Sequence, residues 1–174
     1  MGHINIEFKA RSANNKKIKE ILISKQAISK GIDHQIDTYF KVNSGRLKLR
    51  EGSIENALIH YQRKDQKGPK QSNVALFPVD PGSSTSLKKI LTHALGILVV
   101  VDKHRAIYFI ENVKFHLDSV KKLGEFVEVE AIDSDGTIGI EKLHNQCHRY
   151  LEEFEIREED LVSNSYSDLL LQKQ

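Results

Sequence analysis

The chain has 174 residues, 39% hydrophobic and 29% charged, a composition that supports one globular domain over residues 1–174 and excludes a largely disordered chain. Its 26 Lys plus Arg against 24 Asp plus Glu leave a formal net charge of +2, too balanced for a general polyanion-coating surface. A single cysteine, Cys147, rules out an internal disulfide framework, no apolar run approaches the roughly 20 residues of a membrane span, and the amino terminus lacks a signal peptide's apolar stretch, so a cytoplasmic protein with no membrane partner is expected.

Residues 2–11 alternate strictly, with Ile4, Ile6, Phe8 and Ala10 on one face and His3, Asn5, Glu7, Lys9 and Arg11 on the other, the pattern of a half-buried strand. From Asn15 to Lys30 the residues Ile18, Ile21, Leu22 and Ile28 fall at helical spacing and Gly31 marks a stop, which predicts a first helix. Strand-like runs follow at Asp33–Val42, Arg46–Glu51 and Ala57–Arg63, separated by Asn43-Ser44-Gly45 and Gly52, as in an antiparallel meander. Asp65–Ser72 reads as a loop around Gly68-Pro69, its Lys64, Lys67 and Lys70 expected in solvent, and Asn73–Val79 as a further strand. Ser83 to Ser86 offer N-caps to a second helix carrying Leu87, Ile90, Leu91 and Leu95 and closed by Gly96. Ile97–Val101, Ala106–Ile110, Lys114–Leu117 and Glu125–Ile132 read as extended, with a turn near Glu111-Asn112. Asp135 and Thr137 are placed to cap a last helix with the stripe Ile140, Leu143, Cys147, Tyr150 or Leu151, and Phe154. About eight strands and three helices make an α+β chain.

The polar faces of these strands carry closely spaced charges of one sign. Arg46, Lys48 and Arg50 alternate with Leu47 and Leu49, Lys103 and Arg105 stand two apart, and Glu128 and Glu130 repeat the pattern in acid. Like charges at i, i+2 repel. They are either simply solvated, or they line the lumen of a closed barrel whose apolar faces point outward under helices. Two unit charges 4 Å apart interact by roughly 4 kcal/mol at an effective dielectric of 20, so a basic lumen requires anions. Arg and Lys suit phosphate oxygens, and paired carboxylates suit Mg²⁺ or Mn²⁺ on those oxygens.

These residues resemble the CYTH superfamily, the triphosphate tunnel metalloenzymes that include class IV adenylyl cyclases and thiamine triphosphatases. The carriers are Asn5-Ile6-Glu7-Phe8-Lys9, similar to the family's Glu-x-Glu-x-Lys strand; Asp37-Thr38-Tyr39-Phe40; Gly45 to Glu51; Tyr61-Gln62-Arg63; Lys103-His104-Arg105; and Phe115-His116-Leu117-Asp118 running on to Glu128-Val129-Glu130. The tail Ser165-Tyr166-Ser167-Asp168-Leu169-Leu170 is similar to the class IV cyclase end. The resemblance implies an eight-stranded antiparallel tunnel barrel with helices outside, binding a triphosphate with Mg²⁺ or Mn²⁺. By position it implies Glu7, Glu128 and Glu130 as metal ligands and Arg46, Lys48, Arg50, Arg63, Lys103 and Arg105 as phosphate contacts. It gives Lys9 the role of base partner or phosphate clamp and Tyr39 that of the tyrosine paired with it. Cyclisation of ATP to cyclic AMP and pyrophosphate, hydrolysis of ATP, thiamine triphosphate or tripolyphosphate, and polyphosphate binding without turnover all use such a lining, although the last needs no Glu128 and Glu130 pair. A homodimer is left open. Asn5 departs from the pattern, replacing the first carboxylate by an uncharged oxygen donor, which implies a slow or Mn²⁺-preferring enzyme.

Other groupings carry less. His144, Cys147 and His148 fall short of the four ligands of a structural zinc site, and Cys147 reads as core. His116 beside Asp118 reads as a strand histidine satisfied by a backbone carbonyl. With 7% aromatic residues and near-neutral charge, the nucleic-acid-binding class is not expected.

Overall fold

Alternation at period two sends every second side chain to the same side, so a sheet of such strands has one apolar and one charged surface, and curling it determines which is enclosed. The computed structural model describes residues 2–174, and in it the first alternating segment is strand β1 (Gly2–Arg11). With β2 (Ile28–Phe40), β3 (Arg46–Gly52), β4 (Ala57–Arg63), β5 (Lys70–Pro78), β6 (Ile97–Ile110), β7 (Val113–Val120) and β8 (Gly124–Asp133) it closes into an antiparallel barrel in the order β1-β5-β4-β3-β2-β6-β7-β8. Helices α1 (Asn15–Ser24), α2 (Pro81–Leu95), α3 (Ile140–Glu153) and α4 (Tyr166–Gln172) complete the α+β architecture. No helix among the described residues is long and apolar enough to cross a membrane.

The apolar faces point outward. Ile18 and Leu22 of α1 and Leu143, Cys147 and Tyr150 of α3 cover Ile6, Phe8, Phe115, Leu117, Val127 and Val129 of β1, β7 and β8 in the largest core. Each such side chain contributes about 1.5–3 kcal/mol when fully buried. Leu87, Leu91 and Leu95 of α2 pack on Phe40, Leu49 and Val79. The third cluster stands apart from these two, because Tyr39, Ile59, Tyr61, Val101 and Phe126 meet Tyr166 and Leu170 of α4, which plugs one end of the barrel.

Several boundaries differ from the sequence pattern, each for a local reason. The first helix stops at Ser24, before Gly31: Gln26 takes φ 57, and the Gln26 and Ala27 amides return to the carbonyls of Ile23 and Leu22, a helix stop built without glycine. Ile28 therefore begins β2 and is 62% exposed. At Gly31 the β2–β6 pairing shifts register, which its φ of 100 permits. Asp80, not Ser83 to Ser86, caps α2, accepting from the Gly82 amide with Pro81 in the first turn. The two extended runs from Ile97 are one strand, and β5 starts at Lys70, inside the expected loop. Asp135 and Thr137 bond each other, whereas Asp133 accepts from the amides of Gly136, Ile138 and Gly139 ahead of α3. Helix α4 was not expected as an element. It starts in a capping box formed by Ser165 and Asp168.

Candidate functional site

The barrel encloses a cavity of about 550 Å³, and the inward row of every strand contributes to it. Glu7 and Lys9 come from β1, Tyr39 from β2, Lys48 and Arg50 from β3, Arg63 from β4, Lys103 and Arg105 from β6, His116 from β7, and Glu128 and Glu130 from β8. Register fixes the neighbours: Lys9 lies opposite Glu128 and Glu7 opposite Glu130, while across the β7–β8 seam His116 lies opposite Glu128.

One wall is a cation cluster centred on Asp37. Asp37 is fully buried and accepts from Lys48 at 2.9 Å, from Arg50 at 2.9 Å through two nitrogens, and from Lys103 at 2.7 Å. Burial alone would raise its carboxyl pKa, but Arg50, Lys103 and Lys48 hold it well below the carboxylate range. Glu55 accepts a further bond from Arg50 but is shared with Lys114, so the two acids leave positive charge in excess on this wall. Lys103 shows the surplus: burial, with Arg50 and Arg105 beside it, pushes its ammonium well below the ordinary lysine value even though Asp37 touches it. Such a wall is poised for an anion.

The facing wall mixes signs. Arg105 donates to both oxygens of Asp118 at 2.7 and 2.6 Å and to Glu128 at 2.9 Å, and Tyr166 donates its hydroxyl to Asp118 at 2.6 Å. Lys9 sits 3.9 Å from Glu128 and 4.0 Å above the Tyr166 ring, and burial lowers its pKa to about 8. Burial, with Glu128 and Glu7 adding repulsion, raises Glu130 to about 7. Ligand atoms of His116, Glu128 and Glu130 all lie within 4.8 Å of one another. Both His116 nitrogens lack a hydrogen-bond partner, contrary to the backbone-satisfied histidine expected from sequence, and burial lowers its pKa to about 3, leaving a neutral imidazole.

Not every expected site residue is where the pattern put it. Glu7 lies outside that three-residue group and accepts from Arg63. Lys9 and Tyr39 have different partners: the Tyr39 hydroxyl is 3.4 Å from that of Tyr61, and burial raises it to about 12. Arg46 stands at the plugged end, donating to Asp65 at 3.1 Å and Asp168 at 2.7 Å. Asn5 lines the cavity with its amide oxygen unpartnered.

Five residues without an expected role belong to the lining or its edge. Lys114 and Glu55 pair with each other, and Glu55 also accepts from Arg50 at 3.0 Å. Asp33 holds the turn that brings Glu55 inward by accepting the Ile54 and Glu55 amides. A side chain at Gly52 would come within 2.7 Å of that carboxylate. Lys70, expected in solvent, is 2% exposed and donates to the Gln66 and Ser163 carbonyls. Tyr166 enters from α4. The i, i+2 rule that marks Lys103 and Arg105 also marks Lys114, His116 and Asp118, and the Ser165-x-x-Asp168 spacing marks α4. Cys147 donates its thiol to the Ile6 carbonyl within the core, as expected, and burial raises it to about 12.

The CYTH domain family model matches residues 3–166. A sequence search of curated proteins gives no match. Among solved structures, the PH1012 protein of Pyrococcus horikoshii OT3 is similar at 28% identity and TM-score 0.77, covering 95% of this chain and 98% of that one. A candidate adenylate cyclase of Vibrio parahaemolyticus aligns at 17% identity and TM-score 0.71 over 98% and 99% of the two chains. The protein HpAC1 of Hippeastrum, described as having a dominant triphosphatase activity, aligns at 14% identity and TM-score 0.63 over 97% and 94%.

Proposed function

This chain belongs to the CYTH domain family, and on that premise we propose that it is a metal-dependent enzyme acting on a triphosphate held in the barrel lumen. The observation that carries this reading is the excess of Lys48, Arg50, Lys103 and Lys114 over Asp37 and Glu55 in the lumen, which a polyphosphate chain would neutralise. Glu128 and Glu130, with Glu7 beside them, are the residues to hold Mg²⁺ or Mn²⁺ against the same phosphates. Their packing of like charge, which raises Glu130, fits a divalent cation. Such an ion, when bound, neutralises phosphate charge and polarises the P–O bonds.

Phosphates would displace acids as partners of the lumen cations, with Arg63, Lys103 and Arg105 orienting the chain. The plug of α4 closes the end near Lys9, whereas the other mouth is rimmed by Ile54, Leu76, Pro78, Phe109 and Ile132, an apolar lip suited to the organic group of a nucleotide. In the cyclase reading, as in class IV adenylyl cyclases, the ribose 3′-oxygen of ATP bonds to the α-phosphorus, the bond to pyrophosphate breaks, and the hydroxyl proton passes to a base. A second reading, hydrolysis of the terminal phosphate of ATP, thiamine triphosphate or tripolyphosphate, is favoured by Lys9. Burial lowers Lys9 to about 8, which brings its neutral, proton-accepting amine within reach near neutral pH, whereas burial raises Tyr39 to about 12.

Incubating the protein with ATP, thiamine triphosphate and tripolyphosphate, each with Mg²⁺ and with Mn²⁺, and following products by phosphorus NMR and chromatography, tests this. Cyclic AMP with pyrophosphate supports the first reading and orthophosphate release the second. A lack of turnover of all three under both metals overturns the enzyme assignment.

A further inference from the structure

We propose that His116 is a metal ligand, forming with Glu128 and Glu130 a mixed nitrogen and oxygen site that selects a first-row transition ion of the Mn²⁺ and Zn²⁺ kind over Mg²⁺. The inference rests on the reading that the lumen acids hold a metal, and adds the ligand that decides which one.

His116 is 1% exposed, lines the cavity, and has no hydrogen-bond partner at either nitrogen. Its Nδ1 faces Glu128 at 3.6 Å and Glu130 at 3.8 Å. These separations are too long for hydrogen bonds, yet of the size that a single ion with bonds of about 2.0–2.2 Å would span. Of the charged neighbours, Lys114 pairs with Glu55, while Arg105 donates to Asp118 and to Glu128 Oε2, the oxygen that faces His116, and so orients that carboxylate. All three ligands stand on β7 and β8, adjacent strands whose register places His116 opposite Glu128, so the backbone preorganises the site.

Donor chemistry then sets the preference. Mg²⁺ takes oxygen ligands almost exclusively, whereas imidazole binds more tightly along the series from Mn²⁺ to Zn²⁺.

The test uses the full chain stripped of metal by a chelator. Pulsed EPR of added Mn²⁺ is expected to show coupling to an imidazole nitrogen, absent in His116→Gln, which keeps a neutral polar side chain of similar reach. By calorimetry the substitution should weaken Mn²⁺ binding by at least about tenfold and Mg²⁺ binding by less than about threefold. Should the variant not fold, the nitrogen coupling in the natural chain decides alone. Bound Mn²⁺ without that coupling, accompanied by triphosphate turnover, overturns the ligand and leaves the enzyme reading standing. Coupling without any turnover leaves the ligand standing and overturns the enzyme reading, and a chain that binds no divalent ion overturns both.

Discussion

At Glu130 the folded chain holds a proton that the unfolded chain releases, because burial and the charges of Glu128 and Glu7 raise its pKa from 4.5 to about 7. A carboxyl group raised in this way contributes stability that is present below pH 4.5 and lost as pH climbs through 7. Glu130→Gln copies the protonated form. In chelator, the variant should exceed the natural chain in stability at pH 8 by on the order of 1–3 kcal/mol, with the gap closing towards pH 4.5. Urea titrations at the two pH values decide it, and a gap independent of pH would show that the carboxylate is not electrostatically strained. The residue scale also shows the limit of reading by parity. The i, i+2 rule places Glu128 and His116 on inward faces, but the distance between them depends on the β7–β8 register, which neither strand encodes alone.

Among the elements, α4 does more than its seven residues would suggest. An isolated helix of that length is unstable in water, so packing must hold it. Tyr166 packs edge to face on Phe126, with ring centroids 4.9 Å apart, and donates to Asp118, while Asp168 draws Arg46 to the plugged end. Tyr166→Phe should cost about 1–2 kcal/mol, since Asp118 keeps both bonds from Arg105, whereas Tyr166→Ala should cost about 3–5 kcal/mol by emptying the plug. Denaturation midpoints check both figures. If Tyr166→Ala cost less than about 1 kcal/mol, the helix would not be seated in the barrel in solution. The same element explains why Arg46, expected as a phosphate contact, meets Asp168: a tail far away in sequence reaches it first.

For the molecule as a whole, the lumen carries excess buried positive charge, a load that the proposed polyanion would relieve. Tripolyphosphate with metal at 100 times its dissociation constant should stabilise the chain by about 2.7 kcal/mol, a rise in melting temperature of roughly 5–11 °C. Lys103→Met should raise the unliganded melting temperature, because a buried ammonium facing Lys48, Arg50 and Arg105 is removed at similar volume, and should shrink the ligand-induced rise. Differential scanning calorimetry with and without tripolyphosphate reads both effects. A lysine that was simply solvated would leave both unchanged.

The amino-acid sequence by itself determined the strands, because period-two alternation survives in any context, and it determined which rows carry charge. It marked the outer helices by their apolar stripes, and Cys147 as core. Closure was legible only through the family resemblance, and the barrel bears it out: alternation alone suits an open sheet with a wet face as well, and it is the pairing of β1 with both β5 and β8 that encloses the charged side. Boundaries set by side-chain and backbone bonds without a glycine or serine signal, at Gln26 and Asp80, likewise needed the folded chain. Pairing partners were the last to be fixed. Lysines, arginines and acids on separate strands can meet in many combinations, and it is the barrel's shear that sets Lys48, Arg50 and Lys103 on Asp37, draws Glu7 to Arg63, and leaves His116 facing two carboxylates with no hydrogen bond of its own.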